Sequence, residues 1–153
     1  MTGLSAAALE DRWQRRAWIV LFVTGALAVI AAPINLLGKP PNPPSPESST
    51  GLTPQEIAAR IPGIDDYISS ISRQLGNFML AFGVLLMGVA AGPFRRGERW
   101  AWNISWSVPL VFLIQLLNSR GGWGWQFDLG GLAVVLGGLL VPYRRFFPKH
   151  ARG

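Results

Sequence analysis

The chain has 153 residues, half of them hydrophobic and only 14% charged, with a formal net charge of +6. That length leaves room for one compact bundle and no separate soluble domain, and the composition suits hydrocarbon better than a water-soluble fold. Cysteine is absent, which excludes disulfide staples, thiolate catalysis and cysteine-based metal sites.

Residues 1–12 read as a short arm that passes into Arg12, Arg15 and Arg16. The first apolar stretch then runs from about residue 17 to residue 38. Its charged lead and its Ala31-Ala32-Pro33 sequence imitate a secretory signal. The run is long for that role, and proline directly after the small pair disfavours processing. It is read as an uncleaved transmembrane helix.

Lys39-Pro-Pro-Asn-Pro-Pro-Ser-Pro follows. So many missing amide donors predict an extended, solvated spacer. Thr53-Pro54-Gln55-Glu56 carries the signature of a helix start, with Thr53 as cap, Pro54 in the first turn and Glu56 as capping-box partner. Pro62-Gly63 ends that short helix, and Asp65 and Asp66 open the next one. Ile64, Tyr67, Ile68, Ile71 and Leu75 then recur at helical spacing, so one long helix is expected from about Ile64 to Gly92. Its first turns stand above the membrane, and the helix that starts at Thr53 is the expected cover for their apolar stripe.

Three further apolar stretches occupy about residues 75–94, 100–118 and 125–143. Each of the four approaches the ~20 apolar residues needed to cross ~30 Å of hydrocarbon. The links between the last three are short, which predicts antiparallel neighbours. Pro109 should kink the third span and free a carbonyl near Ser105, whose hydroxyl is placed to compensate. Tryptophans at 13, 18, 100, 102, 123 and 125 fall at the expected interfaces.

Four basic residues, Lys39, Arg60, Arg73 and Arg120, lie in the segments 39–74 and 119–124. All others flank the opposite ends of the spans, where headgroup phosphates are the natural counter-ions and nucleic acid is not. The positive-inside rule therefore puts both termini in the cytoplasm. Arg far outnumbers Lys, the usage of a GC-rich bacterial genome, so the bacterial cytoplasmic membrane is the expected location. The expected fold is an all-α, up-down-up-down membrane bundle whose outer loop carries one short helix.

Two patterns could carry function. Small residues supply packing faces: Gly25 with Ala28 and Ala32 on the first span, a Gly88–Gly92 GxxxG on the second, and Gly131 and Gly138 of two glycine pairs on the fourth. Packing within the bundle is preferred to dimerisation. Polar residues form the second pattern. Antiparallel threading brings Asn35, Arg73, Asn77, Gln115, Asn118 and Asp128 to one depth below the outer surface. Asp128 shares a face with Gly131 and Gly138, and Arg73 is the strong cation at matching height. This layer is read first as a structural clasp and second as an outward-facing pocket for a lipid, quinone-like or other amphiphile.

No HExxH, GxSxG, Walker loop or cavity-facing carboxylate pair is present, and His150 sits in a basic tail. No cofactor or metal is expected. The sequence favours a non-enzymatic accessory or partner-binding component, in contact with membrane lipids and other membrane subunits. Arg95-Arg-Gly-Glu-Arg-Trp-Ala-Trp102 and Pro142-Tyr-Arg-Arg-Phe-Phe-Pro148 give residues 64–148 a layout that resembles small bacterial four-helix membrane proteins grouped as DoxX-like. The resemblance implies the bundle and transfers neither an activity nor functional residues.

Overall fold

The computed structural model describes residues 13–38, 50–119 and 125–148. The N-terminal arm, the proline-dense spacer, the turn at 120–124 and the tail bearing His150 lie outside these residues.

Every regular element among the described residues is helical: α1 (Trp18–Leu36), α2 (Pro54–Arg60), α3 (Ile64–Val89), a π turn (Ala90–Phe94), α4 (Arg99–Ser105), α5 (Ser107–Ser119), α6 (Trp125–Leu140) and α7 (Tyr143–Phe146). Four stretches are long and apolar enough to cross a membrane: Trp13–Leu36, Ile64–Phe94, Arg99–Asn118 and Trp125–Phe146. The chain divides into two units, one of Met1–Gly25 with Leu85–Gly153 and one of Ala26–Val84.

In the Ala26–Val84 unit, α2 starts as its residues require. Thr53 is extended, Pro54 occupies the first turn, and the Glu56 amide donates to Thr53 Oγ1 at 3.3 Å. The Glu56 carboxylate accepts from the Thr53 amide at 2.8 Å and from its hydroxyl at 2.9 Å. Two amides that the helix itself leaves without partners are thereby satisfied.

The cover expected over α3 is not provided. No residue of α2 is buried, while Tyr67, Ile68, Ile71 and Leu75 stay 64%, 44%, 49% and 51% exposed. The helix packs instead along Ser72, Gly76 and Gly83, all buried, with Met79 half-buried between them. That series repeats every three to four residues, as a close-packed seam does. Small side chains permit approach there, whereas the bulky stripe would hold a neighbouring helix away. Ile64–Phe94 spans 31 residues, about 46 Å of helix at 1.5 Å per residue. It exceeds the ~30 Å hydrocarbon layer and must tilt or project beyond it.

In the other unit the core gathers Leu21, Leu86, Ala90, Phe94, Ala101, Val108, Val135, Leu139 and Phe146. Trp102 packs against it. Its ring lies 5.5 Å from Trp106, 5.6 Å from Tyr143 and 5.2 Å from Phe147. Its indole N–H donates to the Leu139 carbonyl at 3.0 Å. That carbonyl belongs to the last turn of α6, where intrahelical donors run out.

The second span ends in a widened turn. Pro93 cannot donate, and its ring crowds the preceding turn; the chain opens into π geometry over Ala90–Phe94. Gly97, at φ 82°, closes it. Its amide bonds the Phe94 carbonyl and the Glu98 amide bonds the Pro93 carbonyl, both at 3.0 Å, the paired bonds of a Schellman cap.

The third span, 20 residues from Arg99 to Asn118, is interrupted three residues before Pro109, where a proline kink is expected. A turn at Trp106 separates α4 from α5, which puts Pro109 in the first turn of the new helix, where its missing amide costs nothing. The Ser105 hydroxyl does not compensate the break as expected. It donates back to the Ala101 carbonyl at 2.7 Å.

The α2 cap carries a prediction. The Glu56 carboxyl is held below its ordinary value of 4.5, first by the Thr53 amide and then by the Thr53 hydroxyl. A lowered pKa means that the cap is fully formed above 4.5 and lost as pH falls through the lowered value. NMR titration should therefore give Glu56 a midpoint below 4.5. Thr53→Ala should move it only part of the way back, because the amide remains. A wild-type midpoint at or above 4.5 would remove the cap.

Candidate functional site

The six polar residues grouped by sequence fall into two sets. Asn35, Arg73 and Asn77 belong to the Ala26–Val84 unit; Gln115, Asn118 and Asp128 belong to the other. Each set is described in its own unit.

Asn35 is only 4% exposed, near the C-terminus of α1. Its carbonyl is among the last four of the helix and has no intrahelical donor ahead of it. Two groups supply one: the Gly38 amide at 2.9 Å and the Ser72 hydroxyl of α3 at 3.2 Å. The Asn35 amide nitrogen bonds the Ala31 carbonyl at 3.5 Å and Met79 Sδ at 3.4 Å. One turn along α3 from Ser72, Ser69 donates to the Gly38 carbonyl at 3.4 Å. Gly38 itself sits at φ 74°, which L side chains rarely adopt. The end of α1 is thus held to α3 by two serines that the sequence reading did not single out.

Gly76 makes this possible. A Cβ there would stand 2.8 Å from the Leu36 amide nitrogen and 3.0 Å from the Ala32 carbonyl oxygen. Both obstacles are backbone and cannot rotate away. The available signal was Ser69, Ser72, Gly76 and Met79 at three- and four-residue spacing. It was outweighed by the greasier stripe beside it.

Arg73 and Asn77 face outward from α3. The guanidinium stem of Arg73 passes close to Gly38, with Nε 3.5 Å from where a Cβ would be. In the other unit, Gln115 and Asn118 lie exposed on α5. Asp128 is half-buried in the first turn of α6. A carboxylate there is favoured by the helix dipole, typically by ~0.3–1 kcal/mol.

The packing glycines divide as well. Gly25 is buried. Gly131 lies under the Phe112 ring, where a Cβ would come within 2.6 Å of Cε1, and Gly138 meets Val20 Cγ1 at 2.9 Å. Gly88 and Gly92 do not pack inside the chain as expected: no described atom comes within 4 Å of a Cβ at either. Gly130 and Gly137 are open in the same way. Consecutive residues on a helix point ~100° apart, so each glycine pair of α6 turns one member inward and the other outward.

Among the described residues no cluster of His, Cys, Asp and Glu is arranged to hold a metal ion. Comparison with known protein families, with curated proteins and with solved structures finds no match to this chain.

The clasp is testable by thermal unfolding in one detergent. Ser72→Ala should cost about 1 kcal/mol, the net worth of a typical hydrogen bond. Gly76→Ala should cost more, about 1–3 kcal/mol, as overpacking does. Gly88→Ala, with open space, should be neutral or slightly stabilising. Equal effects of the two glycine substitutions would disprove the close approach at Gly76.

Proposed function

We propose that this chain is a non-enzymatic, four-span bacterial membrane protein that acts by binding partner helices as an accessory component. It forms an up-down-up-down bundle with both termini cytoplasmic. The likeness to DoxX-like proteins belongs to the same reading and contributes only the layout.

One observation carries the reading. The third span turns Asn103, Ser107, Gln115 and Asn118 outward, and their side chains make no hydrogen bond among the described residues. Amides and hydroxyls facing hydrocarbon lose hydration with nothing in exchange. A second helix supplies the missing partners. The open positions at Gly88, Gly92, Gly130 and Gly137 support the same reading, since small outward faces let another backbone come close.

Native mass spectrometry of the protein extracted in mild detergent tests this. A stoichiometric assembly heavier than the 16.7 kDa chain is expected. Gln115→Leu with Asn118→Leu should weaken it about tenfold, two interhelical hydrogen bonds averaging ~0.6 kcal/mol each. A bare monomer would sink the proposal, and a monomer retaining an amphiphile lost on the same substitutions would replace it with ligand binding.

The topology has its own check. Cysteines introduced at Ser5 and Arg152 should react only from the cytoplasmic side, and one at Ser49 only from outside. Labelling of Ser5 and Ser49 from one side would overturn the orientation and the common depth of the polar layer.

A further inference from the structure

A cavity of about 360 Å³ opens at the basic end of the unit formed by Met1–Gly25 with Leu85–Gly153, lined by Arg15, Arg16, Trp18, Ile19, Arg95 and Arg145. Its residues come from three places: the start of α1 with the turn leading into it, the end of the π turn, and α7. Topology signalling asks only that basic residues flank a span. It does not ask that four guanidinium groups from distant parts of the chain converge on one space.

Arg95 and Arg145 are held there by specific contacts. The Arg95 guanidinium lies 5.2 Å from the centre of the Trp18 ring. Arg145 donates from Nη2 to the main-chain carbonyl of Arg95. Its stem runs past Gly97, with Nε 3.5 Å from where a Cβ would be. The neighbouring basic residues are committed elsewhere. Arg96 pairs with Glu98 at 2.6 Å, and Glu98 also accepts from Trp100 Nε1 at 2.6 Å. Arg99 donates to the Phe146 carbonyl at 3.0 Å. Glu98 is thus occupied, and among the described residues no carboxylate lines the cavity.

We propose that Arg16, Arg95 and Arg145, with Arg15 and Trp18, bind the phosphate of an anionic glycerophospholipid headgroup. Guanidinium is the side chain best matched to phosphate, through paired N–H donors in a fixed fork. The volume is that of a small-ligand pocket, which starts near ~300 Å³, and exceeds what one bare anion needs. The floor is apolar, and the outward face of α1 that begins with Ile19 continues with Val23, 40% and 47% exposed. A lipid satisfies both halves, with phosphate among the arginines and an acyl chain along α1. Basic pockets at the ends of transmembrane helices bind anionic headgroups for this reason. The site rests on the membrane reading of the chain.

The test uses the full chain in vesicles of phosphatidylcholine alone or mixed with phosphatidylglycerol, followed by native mass spectrometry of retained lipid. Wild type should retain phosphatidylglycerol in preference to phosphatidylcholine. Arg16→Gln, Arg95→Gln and Arg145→Gln should each reduce that preference about fivefold. Arg144→Gln, on the same turn as Arg145 but outside the cavity, should leave it unchanged, with helix content by circular dichroism confirming that each variant folds. Should a variant fail to fold, wild type still decides: added salt must release the lipid. Three results would overturn the site: no preference in wild type, an equal loss on Arg144→Gln, or displacement of the lipid by inorganic phosphate. A protein that does not stay in the vesicles at all would instead overturn the membrane reading.

Discussion

A helix surrounded by hydrocarbon gains nothing by burying a leucine against its neighbour, because lipid tails already solvate it as well. What remains is close contact and hydrogen bonding, and both units of this chain are built on that constraint. In one, Gly76 brings α3 against the backbone of α1, and only at that range do the Ser69 and Ser72 hydroxyls reach main-chain carbonyls at the end of α1. In the other, Phe112 covers Gly131 and Val20 covers Gly138. Tyr67, Ile68, Ile71 and Leu75 of α3 point away from the seam, which is the reverse of a soluble amphipathic helix.

The same constraint gives meaning to what faces outward. Scattered leucines on an outer face need no explanation, but the amides of Gln115 and Asn118 do. So do glycines at 88, 92, 130 and 137 with open space before them. These features are costly or useless toward lipid and useful toward another helix. The partner-binding reading follows from that asymmetry rather than from any catalytic arrangement.

Charge is managed at the ends of the spans. Asp128 occupies the first turn of α6, where the helix dipole favours it. At the basic end, guanidinium groups are distributed among a carboxylate, main-chain carbonyls and aromatic rings. Trp102 ties the same region to the core through the Leu139 carbonyl.

The four apolar spans and the short helix that starts at Thr53 were legible in the sequence, because they depend on local quantities. A run of apolar residues long enough to span hydrocarbon is counted directly. Thr53, Pro54 and Glu56 fix a helix start among themselves, and Pro93 with Gly97 fixes an end. Which face of each helix packs was decided only by tertiary structure. Ser72 and Gly76 lie beside Ile71 and Leu75 on the same helix, and hydropathy ranks the second pair higher. Only the approach of α1 shows that smallness, not greasiness, sets the contact. The fourth span was more legible, because Gly131 and Gly138 share the face of Asp128, and these are the members of the two glycine pairs that meet a neighbour while Gly130 and Gly137 face open space. Convergence is likewise a tertiary property: Arg16, Arg95 and Arg145 lie far apart along the chain, and only folding brings them to one cavity.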